Sequence, residues 1–408
     1  MQSRLIVFDP GHFHATLLQK EMYGWLDRRV SVYAPLGPEL LDYLARIAAF
    51  NSRAVNPTSW QLSIHTSDDP MAEMLRDRPG NIVVFTGKNR PKIDRILAAL
   101  QAGLNVLADK PWIIRSADLP KLEEAIRIAR EKKLAAYDIM TERYEVTSQL
   151  QRELVRDPEV FGEPVRVTAR SVHNIMKMVA GSPLRRPAWF FDIEEYGEGL
   201  ADVGTHVVDL VQWTLFPDQA IDWRKDVKIN GGKRWPLVLT PDQFEQITGE
   251  RRKKPLEYYC NNYVDYTLKG VPVTMEIVWD WQAPPGAGDV YEASFTGTRS
   301  RVDIRQGAAQ MHVPELYVAA SHRDVVDAVK RNVAAMQDRW PGVKAEGANG
   351  EMHIAIPEKY RVGHEAHFAQ VTNRFVEYVN SPEAMPAWED AYMMAKYQVS
   401  TRGTEAGR

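Results

Sequence analysis

The fold class of this chain is decided by the stretch Leu5-Ile6-Val7-Phe8-Asp9-Pro10-Gly11-His12-Phe13-His14-Ala15. Its first four residues form an unbroken apolar run, which is typical of a parallel strand buried on both faces. A tight turn containing Gly11 follows, and a helical pattern then continues through Leu17, Leu18 and Met22. Strand, glycine turn and helix in this order begin a dinucleotide-binding βαβ unit. We therefore predict an α/β chain with an N-terminal Rossmann domain.

The glycine fingerprint of that turn is degraded. Where G-x-G-x-x-G is expected, the chain has Asp9, Gly11 and His14. A carboxylate at position 9 is unfavourable beside a pyrophosphate, which prefers backbone N–H groups and positive charge. The turn alone is therefore weak evidence for a dinucleotide.

Further apolar runs predict the remaining strands of a parallel sheet at residues 30–33, 61–65, 81–85, 104–108 and 134–138. The turn Thr86-Gly87-Lys88-Asn89 follows one of them, and Asp109-Lys110-Pro111 follows the next. Ligands of open α/β sheets gather at the carboxyl ends of strands, where a lysine can hydrogen-bond a substrate oxygen and favour negative charge on it. A surface lysine ahead of a proline turn is the equally weighted alternative for Lys110.

The pattern changes after residue 165. Strand-like segments follow one another, and the short turns Lys269-Gly270 and Gly297-Thr298 join apparent hairpins. Consecutive strands joined in this way predict a largely antiparallel open sheet in an α+β domain. We expect a Rossmann domain over residues 1–137 and an α+β domain for substrate binding and oligomerisation over residues 138–408.

A helix in the second domain carries three polar residues on one face. The stretch from Gly197 to Trp213 has apolar residues at helical spacing, with Asp202, His206 and Asp209 at i, i+4 and i+7. A carboxylate one turn from an imidazole can orient the ring and stabilise its charged form, as a general acid/base histidine requires. The alternative is a buried helix in which Asp202 stabilises the histidine without any catalytic role.

Composition excludes several classes of protein. The chain has 408 residues, a formal net charge of −3 and one cysteine, Cys260, so it has no intramolecular disulfide and no cysteine-based metal site. The absence of a long basic run argues against nucleic acid and anionic membranes as partners, and no apolar run reaches a membrane span of about 18 residues. His364 and His367 are interpreted as structural, and no metal site is predicted. We expect a cytoplasmic protein.

One stretch is suited to a hydroxylated substrate. Leu184-Arg185-Arg186-Pro187-Ala188-Trp189-Phe190-Phe191 places two arginines before three aromatic residues. The C–H faces of a polyol pack on aromatic rings while its hydroxyls take charge-assisted hydrogen bonds. Aromatic side chains that only fill the core or a domain interface are the alternative.

Together these motifs resemble the Gfo/Idh/MocA oxidoreductases. The resemblance covers essentially the whole chain and is carried by Asp109-Lys110-Pro111, by Asp202-x-x-x-His206 with its preceding glycines, and by Arg143-Tyr144 ahead of a helix at the domain crossover. Two features depart from the family: the glycine loop is degraded, and Asp109 replaces the usual glutamate. Sequence features of this kind also resemble a sub-branch described only as oxidoreductases, so the family does not supply the substrate.

The resemblance implies roles for particular residues. Lys110, Asp202 and His206 would form the catalytic group, and Arg143, Arg186, Trp189 and Asp209 are candidates for substrate contact. The residues implied for the cofactor are Asp9, Gly11, His12, Phe13, His14, Thr86, Gly87, Asn89, Asp109 and Lys110.

These observations predict an NAD(P)-dependent oxidoreductase acting on a hydroxyl of a sugar, glycoside or polyol. NAD is favoured over NADP because no arginine or lysine follows Tyr33-Ala34-Pro35 to meet a 2′-phosphate. Two alternatives stay open: redox-neutral glycoside cleavage through a transient keto-sugar, and a non-catalytic nucleotide- or sugar-binding protein. A half-polar face on the strand around Met275 further predicts a two-fold homodimer or homotetramer formed through the C-terminal sheet.

Overall fold

The computed structural model describes residues 2–179, 182–320, 322–347 and 350–408. The chain divides into two compact units. The first comprises Met1–Met140, Arg186–Gly197 and Glu365–Pro386, and the second comprises Thr141–Arg185, Glu198–His364 and Ala387–Arg408. The expected α/β architecture, with a Rossmann sheet first and a largely antiparallel sheet later, is confirmed.

The strands are, in chain order, β1 Leu5–Phe8, β2 Arg29–Tyr33, β3 Gln61–His65, β4 Ile82–Phe85, β5 Asn105–Ala108, β6 Ala136–Asp138, β7 Pro164–Met176, β8 Met178–Val179, β9 Ser182–Pro183, β10 Val227–Leu239, β11 Leu256–Leu268, β12 Val271–Gln282, β13 Val290–Gly297, β14 Ser300–Arg305, β15 Glu315–Ala320, β16 Lys344–Glu346 and β17 Gly350–Ala355. The boundary predicted at residues 137 and 138 lies inside β6.

The α-helices are, in chain order, α1 His14–Leu17, α2 Pro38–Ser52, α3 Pro70–Asp77, α4 Lys92–Gln101, α5 Leu119–Glu131, α6 Val146–Arg156, α7 Gly199–Leu215, α8 Pro241–Thr248, α9 Arg323–Ala335, α10 His364–Asn380 and α11 Ala387–Ala406. Local signals set several of their ends. The side chain of Asp69 caps α3 by accepting from the backbone N–H of Ala72, and Thr240 and Gln243 form a capping box at α8.

The first unit contains a parallel six-stranded sheet in the order β3-β2-β1-β4-β5-β6. Every residue of β1, β4 and β5 is buried, as the unbroken apolar runs predicted. The order reverses at β1 and β4, which is the switch point where ligands bind in sheets of this kind. The turns that follow these strands therefore lie where a dinucleotide site is expected.

The helix after β1 is shorter than the sequence pattern predicts. It ends at Leu17, and Met22, expected on its apolar face, is exposed. The indole N–H of Trp60 donates to the carbonyl oxygen of Gln19 at 2.6 Å. Because this long-range partner takes a carbonyl that a continuing helix would use, the pattern expected through Leu18 holds but does not continue to Met22.

The second unit is built on a nine-stranded sheet in the order β10-β11-β12-β7-β13-β14-β15-β17-β16. β12 and β7 pair in parallel, and the other neighbouring strands pair antiparallel. Helix α7 is buried along its whole length. A Cβ added at Gly199 would collide with the carbonyl oxygen of Cys260 in β11, so this position needs glycine for close helix–strand packing. That contact fixes the start of the helix that carries Asp202 and His206.

Candidate active site

In the turn after β1, Asp9 takes the place of the first glycine of the fingerprint. Its φ is 45°, which is in the left-handed region, and aspartate is one of the few non-glycine residues that adopt that region readily. The carbonyl oxygen of Asp9 accepts from the N–H of Gly11 at 2.7 Å. Its carboxylate pairs with Arg95 Nη1 at 2.9 Å. The negative charge that the sequence places beside a pyrophosphate is therefore compensated within the first unit.

The indole of Trp189 lies against this turn. A Cβ added at Gly11 would stand 2.8 Å from Trp189 Cζ2, so no larger residue fits there without a shift. The indole Nε1 donates to the Glu39 carboxylate at 3.2 Å, and Glu39 is in the first turn of α2, after β2. The predicted substrate residue Trp189 thus contacts the predicted cofactor turn. Glu39 was not predicted, because it follows β2 at a greater distance than the usual ribose-binding carboxylate.

His12, His14 and Asp109 form one buried cluster. Asp109 Oδ2 lies 2.8 Å from His12 Nδ1, and Asp109 Oδ1 lies 2.9 Å from His14 Nδ1. Burial lowers the pKa of His14 well below its usual value, and Asp109 offsets only part of this effect. Burial alone would raise the pKa of Asp109, but the two imidazoles hold it well below its usual range. Because an ionised carboxylate only accepts, each Nδ1 carries the donated proton.

The carboxyl end of β5 is fixed by Lys92, which the sequence reasoning missed. Lys92 Nζ donates to Asn89 Oδ1 at 2.6 Å and to the carbonyl oxygens of Asp109 and Pro111 at 2.9 and 3.2 Å. The side chain is almost fully enclosed, with 1% of the residue exposed. Lys110 lies between the two bound carbonyl groups, is buried itself and precedes a cis peptide bond to Pro111. The one feature of the sequence that could have indicated this role is that Lys92 begins a helix face that is otherwise apolar.

The turn after β4 contacts both the β1 turn and the 186–197 segment. A Cβ at Gly87 would stand 2.6 Å from Asp9 Oδ2, so glycine is required there. Asn89 uses its backbone N–H on the carbonyl oxygen of Glu195 at 3.1 Å and its amide on that of Tyr196 at 2.6 Å. The Thr86 hydroxyl is buried and has no hydrogen-bond partner in the described part of the chain.

Two other predicted residues of the first unit pack on neighbouring rings. The Phe13 ring lies 4.4 Å from that of His12 and 4.6 Å from that of His14, measured between centroids. Arg186 is buried, with its guanidinium over the ring of Phe190 at 4.3 Å. Phe13 therefore contributes to the walls around the histidines.

In the second unit, Asp202, His206 and Asp209 are all buried on α7. Asp209 accepts two hydrogen bonds from Arg143, at 2.6 and 2.7 Å, and one from Lys396 at 3.2 Å. Burial alone would raise the pKa of Asp209, but Arg143 and Lys396 lower it to about 2. The predicted substrate residues Arg143 and Asp209 are thus joined in a buried ionic network.

That network contains two members that the sequence reasoning missed, Glu389 and Lys396 of α11. Arg143 Nη1 lies 2.9 Å from both carboxylate oxygens of Glu389. Burial raises the pKa of Glu389, and the favourable charge of Arg143 offsets this only in part. Lys396 lies 187 positions beyond Asp209, and Glu389 lies 246 positions beyond Arg143, so no local pattern indicated the contacts.

Comparison with known proteins identifies the family. Residues 150–408 match the family model described as "Putative oxidoreductase C terminal domain". The chain belongs to this oxidoreductase family. It is 40% identical to a crystal structure of a "putative oxidoreductase" from Parabacteroides merdae, with a TM-score of 0.94 over 100% of this chain and 97% of that chain. No curated protein matches the chain.

More distant structures share the fold. GenD2 from gentamicin A biosynthesis, solved in complex with NAD, is 17% identical, with a TM-score of 0.61 over 100% of this chain and 95% of that chain. Levoglucosan dehydrogenase, solved with NADH and L-sorbose, is 13% identical, with a TM-score of 0.63 over 100% and 97%. The family match confirms the predicted oxidoreductase, and the distant NAD-bound structures share its fold. Within the described residues, no helix is long and apolar enough to cross a membrane.

Proposed function

We propose that this oxidoreductase uses NAD to oxidise or reduce a hydroxyl group of a sugar, glycoside or polyol. The observation that carries the proposal is the buried Lys110 at the carboxyl end of β5, in a sheet with dinucleotide-binding strand order. Distant structures of the same fold contain NAD or NADH, and one of them also contains L-sorbose. These bound molecules support the proposed cofactor and substrate class.

The residues of the first unit fit a dinucleotide. A Cβ at Gly11 or at Gly87 would be too close to its neighbours. Glycine at these two positions therefore lets the two turns pack closely together. Asp9 is neutralised by Arg95, and the Thr86 hydroxyl is a buried polar group that a bound molecule can satisfy after a small adjustment. We propose that the Asp9–His14 turn and the Thr86–Asn89 turn hold the cofactor, with Glu39 directed to its ribose.

The bound nicotinamide would supply hydride transfer, and the chain would supply proton transfer and charge stabilisation. We assign proton removal from the substrate hydroxyl to His206, with Asp202 one turn away on α7 orienting its ring. Lys110 is assigned to the oxygen that becomes negative. Its burial strengthens that interaction, because water screens charge less in an enclosed site.

The test is a spectrophotometric assay of purified protein with NAD⁺ and a panel of glycosides and polyols, read as NADH absorbance. We expect His206→Asn and Lys110→Met each to lower kcat by at least about 10²-fold with the fold intact. The exposed Lys254, in the loop between α8 and β11, supplies the control variant Lys254→Met, which should keep wild-type turnover. Wild-type kcat in either site variant would overturn the role assigned to that residue.

The same assay separates the alternatives. Product formation without net NADH, on protein that retains bound NAD, would indicate redox-neutral glycoside cleavage. Binding of NADH and sugar with no product from any member of the panel would favour a non-catalytic binding protein. Chromatography of the sugar products, run in parallel with the absorbance reading, distinguishes these outcomes.

A further inference from the structure

The first unit contains a group of potential metal ligands that neither the sequence analysis nor the proposed reaction uses as such. His12, His14 and Asp109 each offer one ligand atom, and these three atoms lie within 4.8 Å of one another. All three residues are buried, with 10%, 8% and 5% of their side chains exposed. We infer that these residues form a binding site for one divalent transition-metal ion, such as Zn²⁺ or Co²⁺.

The donor set supports this class of ion. Two imidazole nitrogens and one carboxylate are typical ligands of Zn²⁺ and of other first-row divalent ions, whereas Ca²⁺ and Mg²⁺ prefer oxygen ligands alone. The set occupies three positions, so a tetrahedral ion keeps one for an exogenous ligand. This arrangement is typical of catalytic sites, because structural zinc sites are usually closed by four protein ligands.

The geometry needs only small adjustments. The present contacts are hydrogen bonds to different oxygens of Asp109: His12 Nδ1 lies 2.8 Å from Oδ2, and His14 Nδ1 lies 2.9 Å from Oδ1. Ligands at about 2.1 Å from a tetrahedral ion stand about 3.4 Å apart. For the ion to bind, each contact must lengthen by about half an ångström, and each Nδ1 must lose the proton that it donates to Asp109. Small rotations of the three side chains can make such a shift, since His12 and Asp109 lie in the turns after β1 and β5 and His14 begins α1.

The surroundings hold the ligands in place. Lys92 binds the carbonyl oxygen of Asp109 at 2.9 Å and so fixes the backbone of that ligand. The ring of His14 packs on Phe368, with 4.7 Å between ring centroids, and Phe13 lies against both histidines. Supported ligands in an apolar shell bind metal more tightly than mobile ones. The three ligands are therefore held by neighbouring side chains, unlike polar side chains that lie close together on an exposed surface.

The local charge specifies the remaining ligand. Asp109 supplies one negative charge, and Lys110 lies close enough to interact electrostatically with His14. A divalent ion at this site therefore leaves excess positive charge, which an anionic oxygen would balance. We expect hydroxide, a carboxylate or a phosphate oxygen to complete the coordination. The inference does not rest on the proposed function, because metal binding is measured without cofactor or substrate.

A second group, His65, Glu73 and Asp77, provides a matched control. Its ligand atoms satisfy the same distance limit, but none of the three residues is buried. Asp77 also accepts a hydrogen bond from Tyr33 at 3.1 Å. We expect it to bind weakly, because exposed groups of this kind are poorly held.

The experiment uses full-length protein stripped with a chelator and then titrated with Co²⁺, followed by visible d–d absorption and by calorimetry. Wild type should bind one ion per chain, and Zn²⁺ should displace it. Asp109→Asn and His12→Gln should each weaken binding by at least about 10-fold, whereas His65→Gln should not change it. Near-ultraviolet circular dichroism checks the fold of each variant.

X-ray absorption at the cobalt edge of the wild-type complex keeps the test decisive if a variant does not fold. Two imidazole ligands and one or two further oxygen ligands are expected. The absence of stoichiometric binding, a spectrum without imidazole, or a loss of binding in His65→Gln equal to that in Asp109→Asn would each overturn the inference.

Discussion

The guanidinium of Arg143 donates two hydrogen bonds, of 2.6 and 2.7 Å, to the carboxylate of Asp209 inside the second unit. Asp209 follows His206 by three residues on α7, so the two side chains lie about one turn apart. The pair therefore fixes the rotation of the helix that presents the proposed catalytic histidine. Whether Asp209 also contacts substrate stays a prediction.

Removing one member of this buried pair should strongly destabilise the protein. Asp209→Asn leaves Arg143 and Lys396 without their shared charge partner, and we expect a loss of about 3 kcal/mol in the free energy of unfolding. Urea denaturation provides the measurement. Asp218→Asn is the control, because the Arg152–Asp218 pair has a half-exposed carboxylate and should contribute less than about 1 kcal/mol. Equal effects of the two substitutions would contradict the buried character of the Arg143 pair.

The same pair predicts a dependence of stability on pH. The pKa of Asp209 is lowered from 3.8 to about 2 in the folded protein, so the folded state holds its proton less tightly than the unfolded state. The stabilisation is complete well above pH 3.8 and is lost as pH falls through about 2. The difference in unfolding free energy between wild type and Asp209→Asn should shrink by about 1 kcal/mol between pH 6 and pH 3. A difference that stays constant or grows on acidification would be inconsistent with the lowered pKa.

The contact between Gly11 and Trp189 predicts a compensating pair of substitutions. Gly11→Ala forces a Cβ to within 2.8 Å of the indole ring and should weaken NADH binding by at least about 10-fold. Trp189→Phe removes the benzene ring of the indole that carries Cζ2. Fluorescence titration with NADH should then show a smaller effect of Gly11→Ala in the Trp189→Phe background. If the effects of the two substitutions on the free energy of NADH binding were strictly additive, Gly11 and Trp189 would not interact.

Cofactor preference should follow the charge after β2. No basic residue occurs in Ala34-Pro35-Leu36-Gly37, and Glu39 follows. A carboxylate accepts from ribose hydroxyls and repels a 2′-phosphate, so NADH should bind at least about 10-fold more tightly than NADPH. Calorimetry should show a smaller ratio of the NADPH Kd to the NADH Kd in Glu39→Gln. The ratio should be unchanged in Asp42→Asn, which lies one turn further along α2. Tighter binding of NADPH by wild type would contradict the prediction.

Assembly is expected to use the outer face of the nine-stranded sheet. Along β12, buried Met275 and Ile277 alternate with half-exposed Thr274, Glu276 and Val278. A face of this composition is a suitable subunit interface, and we expect a two-fold homodimer or a dimer of dimers. Light scattering at micromolar concentration should give a multiple of the 46.4 kDa chain mass. Glu276→Arg should reduce the assembled fraction, and a monomeric wild type would exclude this mode.

Elements that depend on local pattern could be predicted from the sequence. The buried strands β1, β4 and β5 were visible as apolar runs, and α7 was visible from its helical spacing of apolar residues. Both signals depend on neighbours within one or two turns. The fold class therefore followed from short stretches read independently.

Contacts between distant parts of the chain could not be predicted in this way. His12 and Asp109 are separated by 97 positions, and Arg143 and Glu389 by 246. The early end of α1 has the same origin, because the partner of Gln19 is Trp60, 41 positions later. Each of these side chains was recognisable as polar or aromatic, but its partner depends on the tertiary fold. The sequence therefore indicated the residues of a site more readily than the distant residues that bind and position them.

The first unit is assembled from three separate stretches of chain, the last of which ends at Pro386. That stretch supplies Phe368 beside His14 and Tyr378 beside Tyr137. During synthesis from the N-terminus, the parallel sheet therefore emerges from the ribosome long before the residues that complete its packing. Residues 1–140 expressed alone should therefore expose apolar surface and aggregate. For the same reason, we expect that exchanging residues 1–140 alone between relatives would not give a folded protein.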